Sequence, residues 1–436
     1  MKLNKTKIVA TVGPACSSKA MLKRLVAAGV DVFRINFSHS THDEAKKIVK
    51  DIRRLNKELK VHISILGDLQ GPKIRIGQIP ESLNLSTGDP IILTTKNKNV
   101  TENNNSVPIN YSAFASDVDN NEKILINDGK LILKVVHTNK KDTVKAKVIQ
   151  GGLLEPNKGV NLPNTRISMP ALTKKDKEDV LFAIKNSFDW IALSFVRNKR
   201  DITTLQKIIG SNSEQKIPII AKIENQEGLD SIDEICELAW GIMVARGDLG
   251  IETSLTDLPN IQRKIMFSCA KWGKRSIVAT HLLESMINNP TPTRAEVTDV
   301  ANAVYEGADA LMLSGETSIG KHPVECVKFL KSISKKTEKF KTLGYEKELI
   351  TNSDWESIAV AAKNLSESIR ADGIIAVTRT GDTANFISNA KPKDIPIFTF
   401  TNNLNTLKQL TLIGSSIPFY VKRLNNHDKT LDHIKK

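Results

Sequence analysis

IIAKIENQEGLDSIDEICELAWGIMVARGDLGI, residues Ile219–Ile251, holds the reading on which the fold turns. The apolar run Pro218 to Ala221 has the composition of a buried strand and delivers Lys222 and Glu224 at its end. Standing two apart, both side chains face the same side of a strand. Asn225 to Leu238 reads as a loop and an amphipathic helix, and a second apolar run, Gly241 to Ala245, stops at Arg246-Gly247-Asp248. The unit is β-α-β, with a cation and two carboxylates at the carboxyl ends of adjacent parallel strands. Two hard oxygen ligands one strand apart suit Mg²⁺, which takes one or two protein carboxylates and keeps room for water and phosphate oxygens. A plain salt bridge between Lys222 and Glu224 is the competing reading of these residues alone. Strand ends, however, are where α/β folds build their sites.

Outward from this unit, short apolar runs alternate with helical patterns. Ile8–Val12, Val32–Asn36, Ile63–Leu66, Trp190–Ser194, Ile219–Ile223, Gly241–Ala245, Ser276–Ala279 and Ala310–Leu313 make eight strands. Helical stretches such as Ser18–Ala28, Asp43–Leu59, Ser254–Trp272 and Pro323–Thr337 separate them. Eight buried strands alternating with helices predict an α/β fold, a (β/α)8 TIM barrel. Thr293-Arg294-Ala295-Glu296 adds a capping box at the start of the helix after strand seven.

Two segments depart from the alternation. Residues 70–170 lack a good helix and carry β-branched or alternating runs (Pro90–Thr95, Lys123–Ile126, Leu131–His137, Thr143–Gln150), with turns at Thr87-Gly88-Asp89 and Asn127-Asp128-Gly129. This predicts a small all-β domain, an inserted β-barrel, placed as a lid over the barrel mouth. From about Phe340 a C-terminal α/β domain is expected: helix Trp355–Ile369, strand Gly373–Thr378, helix Thr383–Asn389, strand Ile395–Thr399. The domain boundaries follow as 1–69 with 171–339 for the barrel, 70–170 for the lid and 340–436 for the third domain. The loop Thr378 to Thr383 has the make-up of an anion nest at a helix N-terminus or of an ordinary turn; Asp382 speaks against phosphate there.

Bulk composition limits the function classes. With 40% apolar and 25% charged residues, the 436-residue chain has a soluble globular make-up and enough length for several domains. No apolar run approaches membrane length, and Met1 to Lys7 is polar, so neither a membrane span nor a signal peptide is expected. Cys16, Cys236, Cys269 and Cys326 are scattered, as in a reduced, cytoplasmic protein. The net charge of +15 raises a nucleic-acid reading, but the lysines are dispersed and aromatics are only 5%, too few for stacking platforms. Anionic small molecules fit the charge equally well.

A barrel predicts that chemistry gathers where strands end. Strand two ends in Arg34-Ile35-Asn36-Phe37-Ser38-His39, strand three in Gly67-Asp68 with Lys73 and Arg75 close behind. Strand five supplies Lys222 and Glu224, strand six Gly247 and Asp248, strand seven Thr280 and strand eight Ser314. Metal ligands ringed by Arg and Lys suit phosphoryl transfer, where positioning and charge neutralisation dominate. Gly315 to Lys321 matches G-x-x-x-x-G-K, but His322 stands where the metal-binding hydroxyl belongs, so the match is discounted. His39 and His42 lack further metal-ligand partners and read as a polar loop.

The stretches TKIVATVGPAC, FRINFSHS, GDLQGPKIR, KGVNLPN, IALSFVRN, AKIENQEG, MVARGDLGIE, LLESMINNPTPTRAEVTDVANAV and MLSGET, in this order, resemble the motifs of the pyruvate kinase family over roughly residues 5–420. The resemblance implies phosphate transfer from phosphoenolpyruvate to ADP, giving pyruvate and ATP, in a three-domain homotetramer. It implies Glu224 and Asp248 as ligands of Mg²⁺ (or Mn²⁺), and Lys222 on the moving phosphoryl charge. Gly247 and Asp248 amides would hold the substrate carboxylate, and Thr280 would order the network that protonates the enolate. Arg34 would grip the phosphoryl group, Asn36, His39, Arg75 and Lys158 match nucleotide-side positions, and Ser314 matches a serine near proton delivery.

Three departures stand out. The family's monovalent-cation site is matched by Asn36, Ser38, Asp68 and the carbonyl of Leu69, yet Lys73 stands where many members carry Glu, so an ammonium is expected to replace K⁺. His281 follows the catalytic Thr where Gln is usual. Asn425–Lys436 reads as the start of a helix, with the family's last strands and effector loop missing, which puts sugar-phosphate activation and the tetramer contacts in doubt. Beside the kinase stands a metal-dependent (β/α)8 lyase acting on pyruvate-like keto acids, which has no need of the lid or of Arg75 and Lys158. A catalytically dead regulator is disfavoured, since no matched catalytic position is lost.

Overall fold

Side-chain burial explains why the barrel closes. The computed structural model describes residues 5–96, 106–163 and 165–422. Strands Lys7–Thr11, Val32–Asn36, Ser64–Asp68, Trp190–Leu193, Ile219–Ile223, Gly241–Ala245, Arg275–Ala279 and Ala310–Leu313 are all parallel and form one closed barrel, the first hydrogen-bonded to the last. Val9, Leu66, Trp190, Ile220, Met243, Ile277 and Met312 point inward and fill its axis. Intervening residues such as Ile8, Ile65, Ile191, Ala221, Ile242 and Val278 pack outward against the helical ring. Burial on both faces is why these strands read as continuous apolar runs. The capping box at Thr293 is formed, and Glu296 also accepts from Ser285 N at 2.7 Å, holding the loop after strand seven on the helix start.

Elsewhere the structure refines the sequence reading. Asn225–Leu238 is two short helices, Gln226–Asp230 and Ile232–Leu238, that meet at Ser231. Arg246-Gly247-Asp248 does not trail off strand six but forms the first turn of a helix, Arg246–Glu252. The helix expected from Ser254 starts at Leu258, with Pro259 in its first turn, where a missing N–H costs nothing.

The insertion is a six-stranded sheet and a two-stranded ribbon around one apolar core of Ile76, Leu93, Phe114, Leu133, Val144 and Leu154. Asn127 and Asp128 take left-handed φ of 53° and 57° ahead of Gly129, the chemistry a tight hairpin turn needs. Arg197 straps this unit to the barrel by donating to the carbonyls of Ile167 and Met169.

The C-terminal unit has three parallel strands, Ile374–Val377, Ile397–Thr401 and Ser416–Tyr420. The last was not expected, because Pro418 interrupts it; as an edge strand it tolerates the missing donor. The helix Leu404–Gln409 was also not expected. The turn before helix Asp382–Asn389 satisfies itself: Thr378 Oγ1 accepts from Gly381 N at 2.8 Å and Thr380 Oγ1 donates to Asp382 at 2.7 Å, which favours the ordinary-turn reading. Arg275, Asp309, Ser388 and Lys391 form a buried polar cluster that seals the barrel base against this unit. The helix expected at Asn425–Lys436 lies outside the described residues. Among the described residues no helix is long and apolar enough to cross a membrane.

Candidate active site

Strands two, three and five place four charges in one buried network. Lys222 Nζ lies 2.9 Å from Glu224 Oε1 and 3.2 Å from Asp68 Oδ1, and donates to Ser194 Oγ at 2.7 Å. Asp68 Oδ1 faces that ammonium without the geometry of a hydrogen bond. Arg34 Nε donates to Asp68 Oδ2 at 2.6 Å, and Nη1 to Thr11 Oγ1 at 3.0 Å. Glu224 Oε2 accepts the Phe195 N–H at 2.7 Å. The expected Lys222–Glu224 pair exists, but it is no rim salt bridge: the two residues are 8% and 1% exposed, inside a charge cluster.

The cluster sets its own protonation. Burial works against the Lys222 ammonium, but Asp68 and Glu224 outweigh it and hold its pKa above the usual lysine value. Asp68 stays below the ordinary carboxylate range because Lys222 and Arg34 overcome burial. Glu224 goes the other way. Burial pushes it up to about 7, Asp248 adding to the push and Lys222 opposing it. A buried carboxylate in the field of a second one, with only one ammonium close by, gains from another cation. That observation, with two hard oxygen donors, makes Glu224 and Asp248 fit a divalent ion. Among the described residues no group of three or more His, Cys, Asp and Glu side chains is arranged for a metal.

Strand seven ends in strained backbone. Thr280 and His281 have φ of 66° and 52°, a region costing roughly 1–3 kcal/mol per residue for non-glycine side chains. Thr280 Oγ1 accepts from Gly247 N at 2.8 Å and donates to the carbonyl of Ala279 at 2.6 Å. Ser314 Oγ is buried without a hydrogen-bond partner, while its N–H donates to Glu316 at 2.7 Å. Glu316 is itself fully buried and also accepts from Leu283 N, so the G-x-x-x-x-G-K match carries a carboxylate where a phosphate cradle would be empty.

The remaining expected residues fall into two clefts. Arg34, Asn36, His39, Thr280 and Ser314 line a cleft of about 880 Å³ at the barrel mouth. Lys73, Arg75, Lys158 and Asp248 line another, of about 340 Å³, between lid and barrel. The four nucleotide-side positions are therefore divided, Asn36 and His39 in one cleft and Arg75 and Lys158 in the other. Arg75 Nη1 donates to the carbonyl of Asn157 at 2.7 Å, and Lys158 pairs with Glu155 at 3.0 Å. Burial, then the charges of Lys73, Arg34 and Arg75, pull the His39 pKa down, so its ring is neutral near pH 7. His42 pairs with Asp179 and stacks on Phe182, outside both clefts.

Sequence reasoning passed over several participants. Thr11 and Ser194 orient Arg34 and Lys222, yet each reads as an ordinary strand-end hydroxyl. Glu252, one helical turn after Asp248, accepts from Asn161 Nδ2 of the lid at 2.8 Å, and burial pushes its carboxyl up to about 7. Its i+4 spacing from Asp248 was the available signal. Arg246 sits within the quoted Arg-Gly-Asp and was not assigned a role.

Comparison with known proteins agrees with this geometry. Residues 3–327 match the family model described as pyruvate kinase, barrel domain, and residues 356–436 that described as pyruvate kinase, alpha/beta domain. A protein named pyruvate kinase 2 from Synechocystis sp. is 41% identical over 431 residues, 98% of this chain and 72% of that one. A pyruvate kinase from Thermotoga maritima is 39% identical, over 97% of this chain and 90% of its own length. A crystal structure of a pyruvate kinase from Cryptosporidium parvum superposes with a TM-score of 0.95 at 32% identity, covering 99% of this chain and 90% of that chain.

Proposed function

Since the chain belongs to the pyruvate kinase family, we propose a division of labour among its residues in the transfer of phosphate from phosphoenolpyruvate to ADP. The observation that carries it is the buried network of Arg34, Asp68, Lys222 and Glu224. Lys222, kept charged by its two carboxylates, faces the phosphoryl group in flight. Arg34, fixed by Asp68 and Thr11, grips the same group. Such pre-oriented charge stabilises the transition state without reorganisation. Glu224 and Asp248 would hold Mg²⁺ (or Mn²⁺), which would supply positive charge to offset the negative charge that develops on the substrate.

The Asp248 amide orients the substrate carboxylate beside the Thr280 hydroxyl, and the Gly247 amide joins it by sharing the N–H that it donates to Thr280 Oγ1. Thr280 and the unpartnered Ser314 hydroxyl bracket the path by which a proton reaches the methylene carbon. Asn36 and His39 from the barrel, with Arg75 and Lys158 from the lid, take the nucleotide as the lid closes. A lyase acting on keto acids has no use for Arg75 and Lys158, and the relatives named above are pyruvate kinases.

Lys73 takes the place of a monovalent ion in this reading. Burial lowers its pKa, Asp248 and Glu224 favour the charged form, and the neighbouring Arg75 and Lys222 charges oppose it. Three of the four matched K⁺ donors already carry a partner: Asn36 Oδ1 accepts from Ser38 N, the Leu69 carbonyl from Ser194, and Asp68 is shared by Arg34 and Lys222. Helix Asp354–Ser368 exposes Trp355, Ile358 and Leu365, with Ile369 just beyond it, and edge strand Ile374–Val377 exposes Ile375 and Val377. This apolar face favours assembly as a homotetramer. An assay coupling pyruvate formation to NADH oxidation, with and without K⁺, tests both parts. Turnover that needs ADP and ignores K⁺ is expected. Strong K⁺ activation would overturn the Lys73 assignment.

A further inference from the structure

Arg246 spends its whole guanidinium on one turn and one carboxylate. Nη2 donates to the carbonyl of Thr280 at 2.6 Å, and Nε reaches the carbonyls of Thr280 and Ala279 at 3.2 and 3.3 Å. Nη1 meets both carboxylate oxygens of Asp299 at 2.8 Å. The Arg246 side chain is only 8% exposed. Its target is the strained pair Thr280–His281, and a β-branched residue does not hold a left-handed backbone unaided. The carbonyls of Ala279 and Thr280, at the end of the ladder, need donors, and Arg246 supplies them. The next residue, Gly247, anchors the same threonine through Oγ1. Consecutive residues thus clamp Thr280 by backbone and by side chain, and Asp299, on helix Arg294–Tyr305 that follows the strand of Thr280 itself, locks the clamp from that same βα unit.

We infer that Arg246 is a positioning residue for Thr280, with Asp299 fixing the guanidinium plane, so that this pair sets the aim of the enolate-protonating network. The inference rests on the reading of Thr280 as part of that network. Lysine cannot replace the planar fork, which here serves two directions at once.

Exchange of the pyruvate methyl hydrogens with D2O, in the presence of ATP and Mg²⁺, reports the proton step apart from net transfer. Wild type, Arg246→Lys, Asp299→Asn, Thr280→Val and the double variant Arg246→Lys/Thr280→Val are compared. Arg246→Lys is expected to slow exchange about 10- to 100-fold, and Asp299→Asn less, with Mn²⁺ affinity unchanged in both. The double variant is expected to be no slower than Thr280→Val, because residues acting as one unit do not add. If Thr280→Val abolishes exchange while Arg246→Lys and Asp299→Asn keep the wild-type rate, the inference is overturned and the Thr280 reading stands. Multiplying effects in the double variant overturn it too. If Thr280→Val itself exchanges normally, the Thr280 reading fails and takes this inference with it.

Discussion

Replacing Lys222 by Met removes one ammonium from a network of two carboxylates, a guanidinium and a hydroxyl. Truncating one partner of a buried ion pair ordinarily costs about 3–5 kcal/mol of stability. Two features of this site reduce that figure. Asp68 keeps its 2.6 Å bond from Arg34, so it is not left without a cation. Glu224, already raised to about 7, loses the neighbour that was holding it down and takes up a proton at neutral pH. Ser194 keeps its 2.7 Å bond to the Leu69 carbonyl and loses only a donor to its oxygen, so the remaining cost, with poorer packing, is about 1–3 kcal/mol. The catalytic loss is larger. An oriented charge on the moving phosphoryl group contributes about 3–4 kcal/mol or more, so phosphoryl transfer should fall at least about 10³-fold. Methyl-hydrogen exchange of pyruvate should fall much less, because the Thr280 turn takes its support from Arg246 and Gly247. The coupled assay and exchange in D2O, run on one folded preparation, give both numbers. Transfer within about tenfold of wild type, or exchange lost in equal proportion to transfer, would refute the assigned role.

Two further outcomes follow from the lid contact and its carboxylate. Asn161→Ala removes the 2.8 Å bond between lid and barrel, and should raise KM for ADP about fivefold, as loss of roughly 1 kcal/mol implies, with the KM for phosphoenolpyruvate less affected; initial-rate kinetics decide it. Glu252 has a native pKa near 7 against an ordinary 4.5, so the native state binds more protons than the unfolded chain between those values. Its contribution to stability is therefore complete below pH 4.5 and fades as pH rises through 7, by up to about 3 kcal/mol. Glu252→Gln should flatten that part of the profile in denaturant unfolding of the metal-free protein, and an unchanged slope would count against the shift.

The barrel was legible because its physics is local. Gly241–Ala245 and Ala310–Leu313 are buried on both faces, so each appears in sequence as an uninterrupted apolar run of its observed length, and Val32–Asn36 and Ile219–Ile223 are broken only by the site residues Arg34, Asn36 and Lys222. The pairing of Lys222 with Glu224 was legible for the same reason, since strand periodicity puts them on one face. Ser416–Tyr420 was not, because Pro418 argues against a strand until its place at a sheet edge is known. Asp299 and Ser194 were invisible for a different reason. Their partners, Arg246 and Lys222, lie on other βα units, and only the closed barrel brings them within 3 Å. Residue chemistry located the mouth; the contacts that orient each group are tertiary and leave no periodic trace.

The claim on which the rest stands is that Glu224 and Asp248 share a divalent ion beside Lys222. Titration with Mn²⁺, followed by electron paramagnetic resonance, tests it on wild type and on Glu224→Gln, a near-isosteric change that keeps an acceptor for the Phe195 N–H. Loss of a ligand predicts Mn²⁺ binding weaker by at least about 10- to 100-fold in the variant. Wild-type Mn²⁺ affinity in a folded Glu224→Gln protein would contradict the account.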